Sequence, residues 1–206
     1  MSLAQVLANF NGSVAQCESL IANAHKADPA GAPFLPPIDQ QQITVAAFLN
    51  MFIAWETFIE SSIAELMIGG ATRGGAVPVK YVAPLDLASA RQLVVGMMKY
   101  FDYGNHVNVR KLVGMYFKDG YPFEPHISAI YSDLNDLRTM RNASAHISST
   151  TQTAMEALAL RLFSAPKPGI SLYQLLTAGD PKSPGSTIFV SYKGKLLATA
   201  DLITQG

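Results

Sequence analysis

The sequence predicts a mainly α-helical protein that ends in a small β-hairpin. Two long segments, residues 3–25 and 41–67, repeat apolar residues at three- and four-residue intervals, as amphipathic helices do. The chain has 206 residues, of which 49% are hydrophobic and 15% are charged, and this suffices for one sizeable core. We therefore expect a single domain over residues 1–206.

The first half of the chain predicts two helices and a connector. The N-terminal helix covers residues 3–25, and the prolines of residues 28–39 then favour an extended connector. The second helix covers residues 41–67 and ends at Gly69 and Gly70. Its buried stripe is predicted to consist of Phe48, Phe52, Trp55, Ile59, Ile63 and Leu66.

The second half predicts shorter helices and one β element. A capping-box pattern at Thr153 and Glu156 marks one helix start, and the helical core spans residues 41–164. The C-terminal segment TIFVSYKGKLLATADL alternates around Lys193 and Gly194, which predicts a β-hairpin over about residues 187–200. Further helices are predicted at about 85–100, 107–117, from Glu124 into the 140s, 153–163 and 171–177.

The charge and the cysteine content restrict the classes of function. Fifteen basic and fifteen acidic residues cancel, so nucleic-acid binding must be local or arise where two subunits juxtapose basic residues. The single cysteine, Cys17, cannot form an intrachain disulfide. Neither the cysteine nor the histidines His25, His106 and His126 have metal-ligand spacing, so we predict no metal and no cofactor.

Neither export nor membrane spanning is predicted. The first twenty residues lack the basic and uninterrupted apolar regions of a signal peptide. The most apolar stretch, residues 45–68, is interrupted by Glu56, Glu60 and Glu65, which are costly in a bilayer. A cytoplasmic location is therefore expected.

An arginine interrupts the apolar stripe of the helix predicted from Glu124. Arg141 occupies the next position on the stripe formed by Ile127, Ile130, Leu134 and Leu137. Because an unpaired buried charge costs several kcal/mol, Arg141 must meet a carboxylate, backbone carbonyls, a subunit boundary or a bound anion.

A histidine follows five residues later. On an unbroken helix His146 would lie about 140° from Arg141, so the two side chains converge only if the helix ends or distorts between them. The run Ser148–Thr151 favours an end nearby. The residues between are small or carry an amide, and Asn142 offers a group that could hold a phosphate.

The string Arg141-Asn-Ala-Ser-Ala-His146 resembles the Arg-x4-6-His motif of the HEPN superfamily, in which a polar residue commonly follows the arginine. The segment 54–60, AWETFIE, is similar to the early helix of the family, notably in the RiboL-PSP-HEPN group. The resemblance covers residues 41–164 and leaves the C-terminal hairpin outside. It implies a HEPN-like helical bundle.

The resemblance also implies a metal-independent endoribonuclease that acts as a homodimer on RNA. Arg141, His146 and Asn142 would be the catalytic residues, with an attacking 2′-hydroxyl, an imidazole for proton transfer and a guanidinium at the phosphate. By analogy the protein would be a toxin or a defence effector with an antitoxin or another regulatory protein. Ser148 stands where such toxins often carry a tyrosine, so control by modification of that tyrosine is doubtful.

Two other interpretations remain open. In the first, Arg141 forms a structural ion pair with Glu56 or Glu60, and His146 only terminates a helix. In the second, the chain is a non-catalytic HEPN-like dimer that binds a nucleotide, RNA or a protein. Glu56 and Glu60 are thus candidate supporting residues. Candidates for contacts to the RNA are Arg138, Ser144, Arg110 and Lys111.

Overall fold

The protein is mainly α-helical, as predicted. The computed structural model describes residues 1–96, 99–145 and 148–206. A short 3-10 helix covers Lys118–Gly120. The α-helices of the described residues are α1 (Leu3–Ala24), α2 (Pro37–Met67), α3 (Leu87–Val95), α4 (His106–Tyr116), α5 (Phe123–Ala129), α6 (Tyr131–Ala145), α7 (Ser149–Phe163), α8 (Leu172–Thr177) and α9 (Ile188–Gln205).

The helices belong to two compact units, each assembled from separate segments of the chain. Unit 1 consists of Met1–Asn11, Ala54–Leu134 and Lys195–Gly206, and unit 2 consists of Gly12–Ile53 and Asn135–Gly194. The long helices α1, α2, α6 and α9 contribute residues to both units. The expectation of a single domain stays a prediction.

Unit 1 is built around aromatic side chains. The ring of Phe10 lies 6.0 Å from that of Trp55 and 5.2 Å from that of Phe58, measured between centroids. The indole Nε1 of the fully buried Trp55 donates a hydrogen bond to Nε2 of His106 over 3.1 Å. This pair satisfies the one polar atom of a side chain that otherwise contributes apolar area to the core.

Helix α2 confirms the stripe predicted from its periodicity, but it begins earlier than predicted. All six stripe residues are fully buried. The helix starts at Pro37, inside the predicted connector, because proline is tolerated at the first position, where no helical partner exists for an N–H. The prolines of the connector therefore mark the start of the helix as well as the break before it.

By length and composition alone, α2 could cross a membrane. An 18-residue window of α2 has a mean hydropathy of 1.4, and 44% of that window is buried within the protein. One carboxylate of the helix, Glu60, is paired with Arg91, with 3.1 Å between Oε1 and Nε. The absence of a membrane span and the cytoplasmic location stay predictions.

The predicted C-terminal β-hairpin is wrong, because residues Ile188–Gln205 form the helix α9. The hydroxyl of Thr187 accepts a hydrogen bond from the N–H of Val190 and so caps the helix. Gly194, the predicted turn, lies in the helix interior. Residues four positions apart also fall on one side of an alternating strand, so the apolar spacing fitted both structures. The buried face of α9 consists of Ile188, Phe189, Tyr192, Leu196, Ala200 and Ile203.

The helix predicted from Glu124 into the 140s is two helices, α5 and α6. The backbone of Ile130 leaves the helical region at φ −111° and ψ 23°, and its carbonyl accepts from the N–H of Leu134. Of the predicted stripe, Ile127, Leu134 and Leu137 are buried and Ile130 is half-buried. The apolar spacing continues across the break, so periodicity alone did not reveal it.

The boundaries of the neighbouring helices also differ from the predictions. Helix α3 ends at Val95 because Gly96 follows with φ 59°, a backbone conformation in which glycine is favoured. Helix α7 begins at Ser149 rather than Thr153. Its capping box is formed by Ser148 and Thr151, each bonding the backbone N–H of the other.

Candidate functional site

The candidate catalytic arginine lies in the last turn of α6, in unit 2. Arg141 is half-buried, and its Nη1 donates a hydrogen bond to Oδ1 of Asn142 over 3.3 Å. The hydroxyl of Ser144 donates to the carbonyl oxygen of Arg141 over 2.6 Å. Asn142 and Ser144 therefore restrain the guanidinium-bearing residue from two sides, one at the side chain and one at the backbone.

A helix end near the motif is confirmed, because the backbone of Ser148 is extended and Ser148 caps α7. Ala145 is the last residue of α6 within the described part of the chain. The predicted catalytic His146 lies outside the described residues. Arg138 is half-buried three residues before Arg141, at a spacing that places both arginines on neighbouring positions of one helix face.

A buried carboxylate holds the helix that carries Arg141. Asp136 is 8% exposed, and its Oδ2 accepts a hydrogen bond from the hydroxyl of Tyr192, on α9, over 2.7 Å. Its Oδ1 pairs with Arg161 of α7, and this carboxylate raises the pKa of the Arg161 guanidinium. The first residues of α9 and the last turn of α7 are thereby tied to α6 within unit 2. No local sequence pattern identifies this network.

Next to the end of α6, unit 2 contains an open cavity of about 560 Å³. The motif residues Ala143 and Ser144 form part of its wall. Its wall contains both apolar and uncharged polar side chains, and none of its described lining residues is acidic or basic. The other lining residues are Ile38, Gln41, Gln42, Val45, Ala46, Leu49, Ser148, Thr151, Gln152, Met155, Gly169, Ile170, Ser171, Leu172 and Tyr173.

Most of this cavity is not predicted by the sequence, although one local signal is present. Ser171 and Gln174 form a reciprocal capping box at the start of α8, and such a spacing is visible in a sequence. What no local pattern reveals is that residues from α2, α6, α7 and α8 meet at one wall.

The candidate RNA contacts Arg110 and Lys111 lie in unit 1, and the structure gives them different surroundings. Both Nε and Nη2 of Arg110 donate to the carboxylate of Glu124, at 2.9 and 2.6 Å, and its guanidinium lies 5.5 Å from the Tyr131 ring centroid. The Arg110 guanidinium accordingly lowers the pKa of the Glu124 carboxyl. These contacts favour a structural role for Arg110.

Lys111, by contrast, lines an open cavity of about 890 Å³ in unit 1. Lys99 and the exposed Tyr100 are also part of that lining. Lys111 therefore remains a candidate for contacts to a polyanion. The remaining lining residues are Phe101, Asp102, Asn108, Leu112 and Met115.

The two candidate supporting glutamates also lie in unit 1. Glu60 pairs with Arg91, as described above. Glu56 is half-buried on α2.

The remaining histidines have structural surroundings. His106 accepts from Trp55, and the exposed His25 bonds the Ile21 carbonyl and the hydroxyl of Tyr173. Burial lowers the pKa of His126. Within the part of the chain that the structure describes, no group of three or more His, Cys, Asp or Glu residues is arranged to hold a metal ion.

Comparison with known proteins finds no matching family model, no matching curated protein and no matching solved structure. The HEPN resemblance stays a prediction that rests on residues 54–60 and 141–146.

Proposed function

We propose that this chain is a metal-independent endoribonuclease of the HEPN type that acts as a homodimer. One observation carries the proposal: Ser148 is extended and caps α7, so a helix end lies close to the motif, and convergence of Arg141 and His146 needs such an end. The hydrogen bond from Arg141 to Asn142 supports it, because a guanidinium that is already restrained loses less side-chain entropy when it binds a phosphate.

The chemistry needs two proton transfers and one stabilised charge. As the 2′-oxygen attacks the adjacent phosphorus, a base takes its proton, and the 5′-oxygen leaves with a proton from an acid. The imidazole of His146 is suited to this exchange because it titrates near neutral pH. Arg141 would bind the equatorial oxygens of the crowded phosphorane bidentately. The products are a 2′,3′-cyclic phosphate and a 5′-hydroxyl.

The decisive variant is His146→Ala. Loss of a general acid or base lowers a rate by about 10²- to 10⁴-fold, and we expect that loss when the purified protein is incubated with mixed RNA in EDTA. The matched control is His126→Ala, since His126 is half-buried and makes no hydrogen bond to any residue that the structure describes. A His146→Ala protein that folds, dimerises and cuts RNA at near the wild-type rate would contradict the proposal.

A second variant separates charge from geometry at the arginine. Arg141→Lys keeps the positive charge but loses the planar donor pair, so we expect it to lose most of the activity; its melting temperature is measured on the same preparation. Cleavage that is abolished by the chelator, or products without cyclic phosphate ends, would exclude this mechanism.

The dimer is tested by sedimentation. Active HEPN-type sites place the motifs of two subunits at one cleft, and such an interface should bury on the order of 1,000 Å² or more. A protein that remains monomeric at about tens of micromolar and still cuts RNA would refute the dimeric site.

A non-catalytic nucleotide-binding or RNA-binding protein is the second candidate. The cavity beside the motif favours it, because a volume of about 560 Å³ lies in the range of small-molecule sites. Saturable RNA binding without fragments in the same assay would support this candidate instead.

A further inference from the structure

We propose that the cavity at the end of α6 binds an adenine base. This inference rests on the proposed function for its biological meaning, since it names the group that the Arg141 site would hold next to the scissile phosphate. The adenine site is inferred from the lining of the cavity, and binding can be tested without RNA cleavage.

The described side chains of the wall are uncharged, which favours an uncharged ligand group and narrows the choice of base. Guanine is most often recognised by Arg or Lys, and cytosine by Glu or Asp. Neither kind of side chain lines the described part of the cavity, whereas three glutamines do: Gln41, Gln42 and Gln152. A glutamine amide matches the donor and acceptor pair of adenine, because it accepts from the exocyclic amine and donates to a ring nitrogen.

The side chain of Gln152 is held in one orientation. Its Nε2 donates to Oε1 of Glu156 over 3.0 Å and to the carbonyl of Ile170 over 3.4 Å. Glu156 is itself fixed, because the same oxygen accepts from the N–H of Gly169 over 2.8 Å. Among the described residues nothing donates to Oε1 of Gln152, which is thus an oriented acceptor for an amine in the cavity.

The glutamines of α2 supply the complementary group. The side-chain amides of Gln41 and Gln42 are exposed and bond no described residue, so each can donate to a ring nitrogen and accept from an amine. Apolar surface for the flat ring comes from Val45, Met155 and Leu172. A planar base with one amine and several acceptors fits both the apolar part and the amide part of this wall.

The cavity lies close to Arg141, the residue proposed to bind the phosphate. Ser144, part of its wall, is three residues after Arg141, so the two occupy neighbouring positions on one face of α6. Tyr173 adds an aromatic ring to the wall, and that ring is stacked on His25 with 6.2 Å between centroids. A base in the cavity would leave its phosphate outside, toward the end of α6 that carries the arginine.

Titration with the four nucleosides tests the inference without any phosphate chemistry. We expect saturable binding of adenosine, measured by calorimetry or NMR, and weaker binding of guanosine, cytidine and uridine. Ala46→Leu adds a branched side chain to the wall and should abolish adenosine binding. Gln152→Met keeps the length of the side chain without its oxygen and should weaken adenosine binding on the order of 10-fold or more.

The matched control is Ala157→Leu, because Ala157 is exposed on α7 and is not part of the cavity wall. It should bind adenosine like the wild type. Absence of saturable adenosine binding, equal binding of all four nucleosides, or equal losses in Ala157→Leu and Ala46→Leu would each overturn the inference.

The two proposals fail independently. If wild-type protein binds adenosine as described but does not cut RNA, the endoribonuclease proposal is wrong and the adenine site stands. If it cuts RNA with cyclic phosphate ends but binds no nucleoside, the adenine site is wrong and the enzyme stands.

Discussion

The network around Asp136 allows a quantitative prediction about what holds α6 in unit 2. Its two partners differ in burial: the Tyr192 residue is 3% exposed, whereas the side chain of Arg161 is 49% exposed. A buried hydrogen bond to a charged group contributes about 1.5–3 kcal/mol. A pair with a half-exposed arginine is screened by water and contributes about 0.2–1 kcal/mol.

The hydroxyl of Tyr192 should therefore matter more than the guanidinium of Arg161. We expect Tyr192→Phe to lower the free energy of unfolding by about 1.5–3 kcal/mol and Arg161→Ala by about 1 kcal/mol or less. For a chain of 206 residues, each kcal/mol corresponds to about 2–4 °C in melting temperature. Asp136→Ala should exceed both changes, because it leaves a buried hydroxyl without its acceptor.

Double-mutant cycles isolate the two interactions. Urea unfolding followed by circular dichroism on Asp136→Ala, Tyr192→Phe, Arg161→Ala and the two double variants gives both coupling energies. The Asp136–Tyr192 coupling should be the larger one. An Asp136–Arg161 coupling that equals or exceeds it would refute the assignment of burial as the deciding factor.

Three further predictions follow from other contacts. His106→Leu leaves the buried Trp55 N–H without an acceptor and should lower the free energy of unfolding by about 1–3 kcal/mol, whereas His106→Gln should lower it less. Tryptophan fluorescence during unfolding measures both changes. Equal stabilities of the two variants would contradict the role of the hydrogen bond. Arg110 lowers the pKa of Glu124, so the pair stabilises the fold above the unfolded pKa of about 4.3 and loses this contribution as the pH falls through the folded pKa. Arg110→Gln should therefore reduce the dependence of the free energy of unfolding on pH in this acidic range. An unchanged dependence would exclude the pair as its cause. Gly194→Ala should raise stability by about 0.5–1 kcal/mol, because the added Cβ meets no atom within 4 Å in α9; a loss of stability would argue against a helix there.

One feature of the candidate site could be predicted from residues that lie close together in the sequence. The run Ser148–Thr151 predicts a helix end near Arg141, and Ser148 is extended and caps α7. This inference holds because helix ends depend on capping groups within three or four residues. The role of His146 remains a prediction.

The partners of charged residues could not be predicted in this way. Arg110 was a candidate for binding RNA, but it pairs with Glu124, and Asp136 bonds Tyr192 at 56 positions further along the chain. A charged side chain carries no local pattern that identifies its partner. The partner depends on which helices pack together.

The sequence by itself determined the helical class, the stripe of α2 and the start of α8, because apolar spacing and capping residues act within one or two turns. Tertiary structure decided the conformation of the C-terminal segment and the break at Ile130. In the segment 188–205 the apolar residues fit both an alternating strand and a helix, and the helix is the form in which Ile188, Leu196 and Ile203 become fully buried. Burial area is a property of the packed chain, so it can select between two patterns that a single sequence leaves equal.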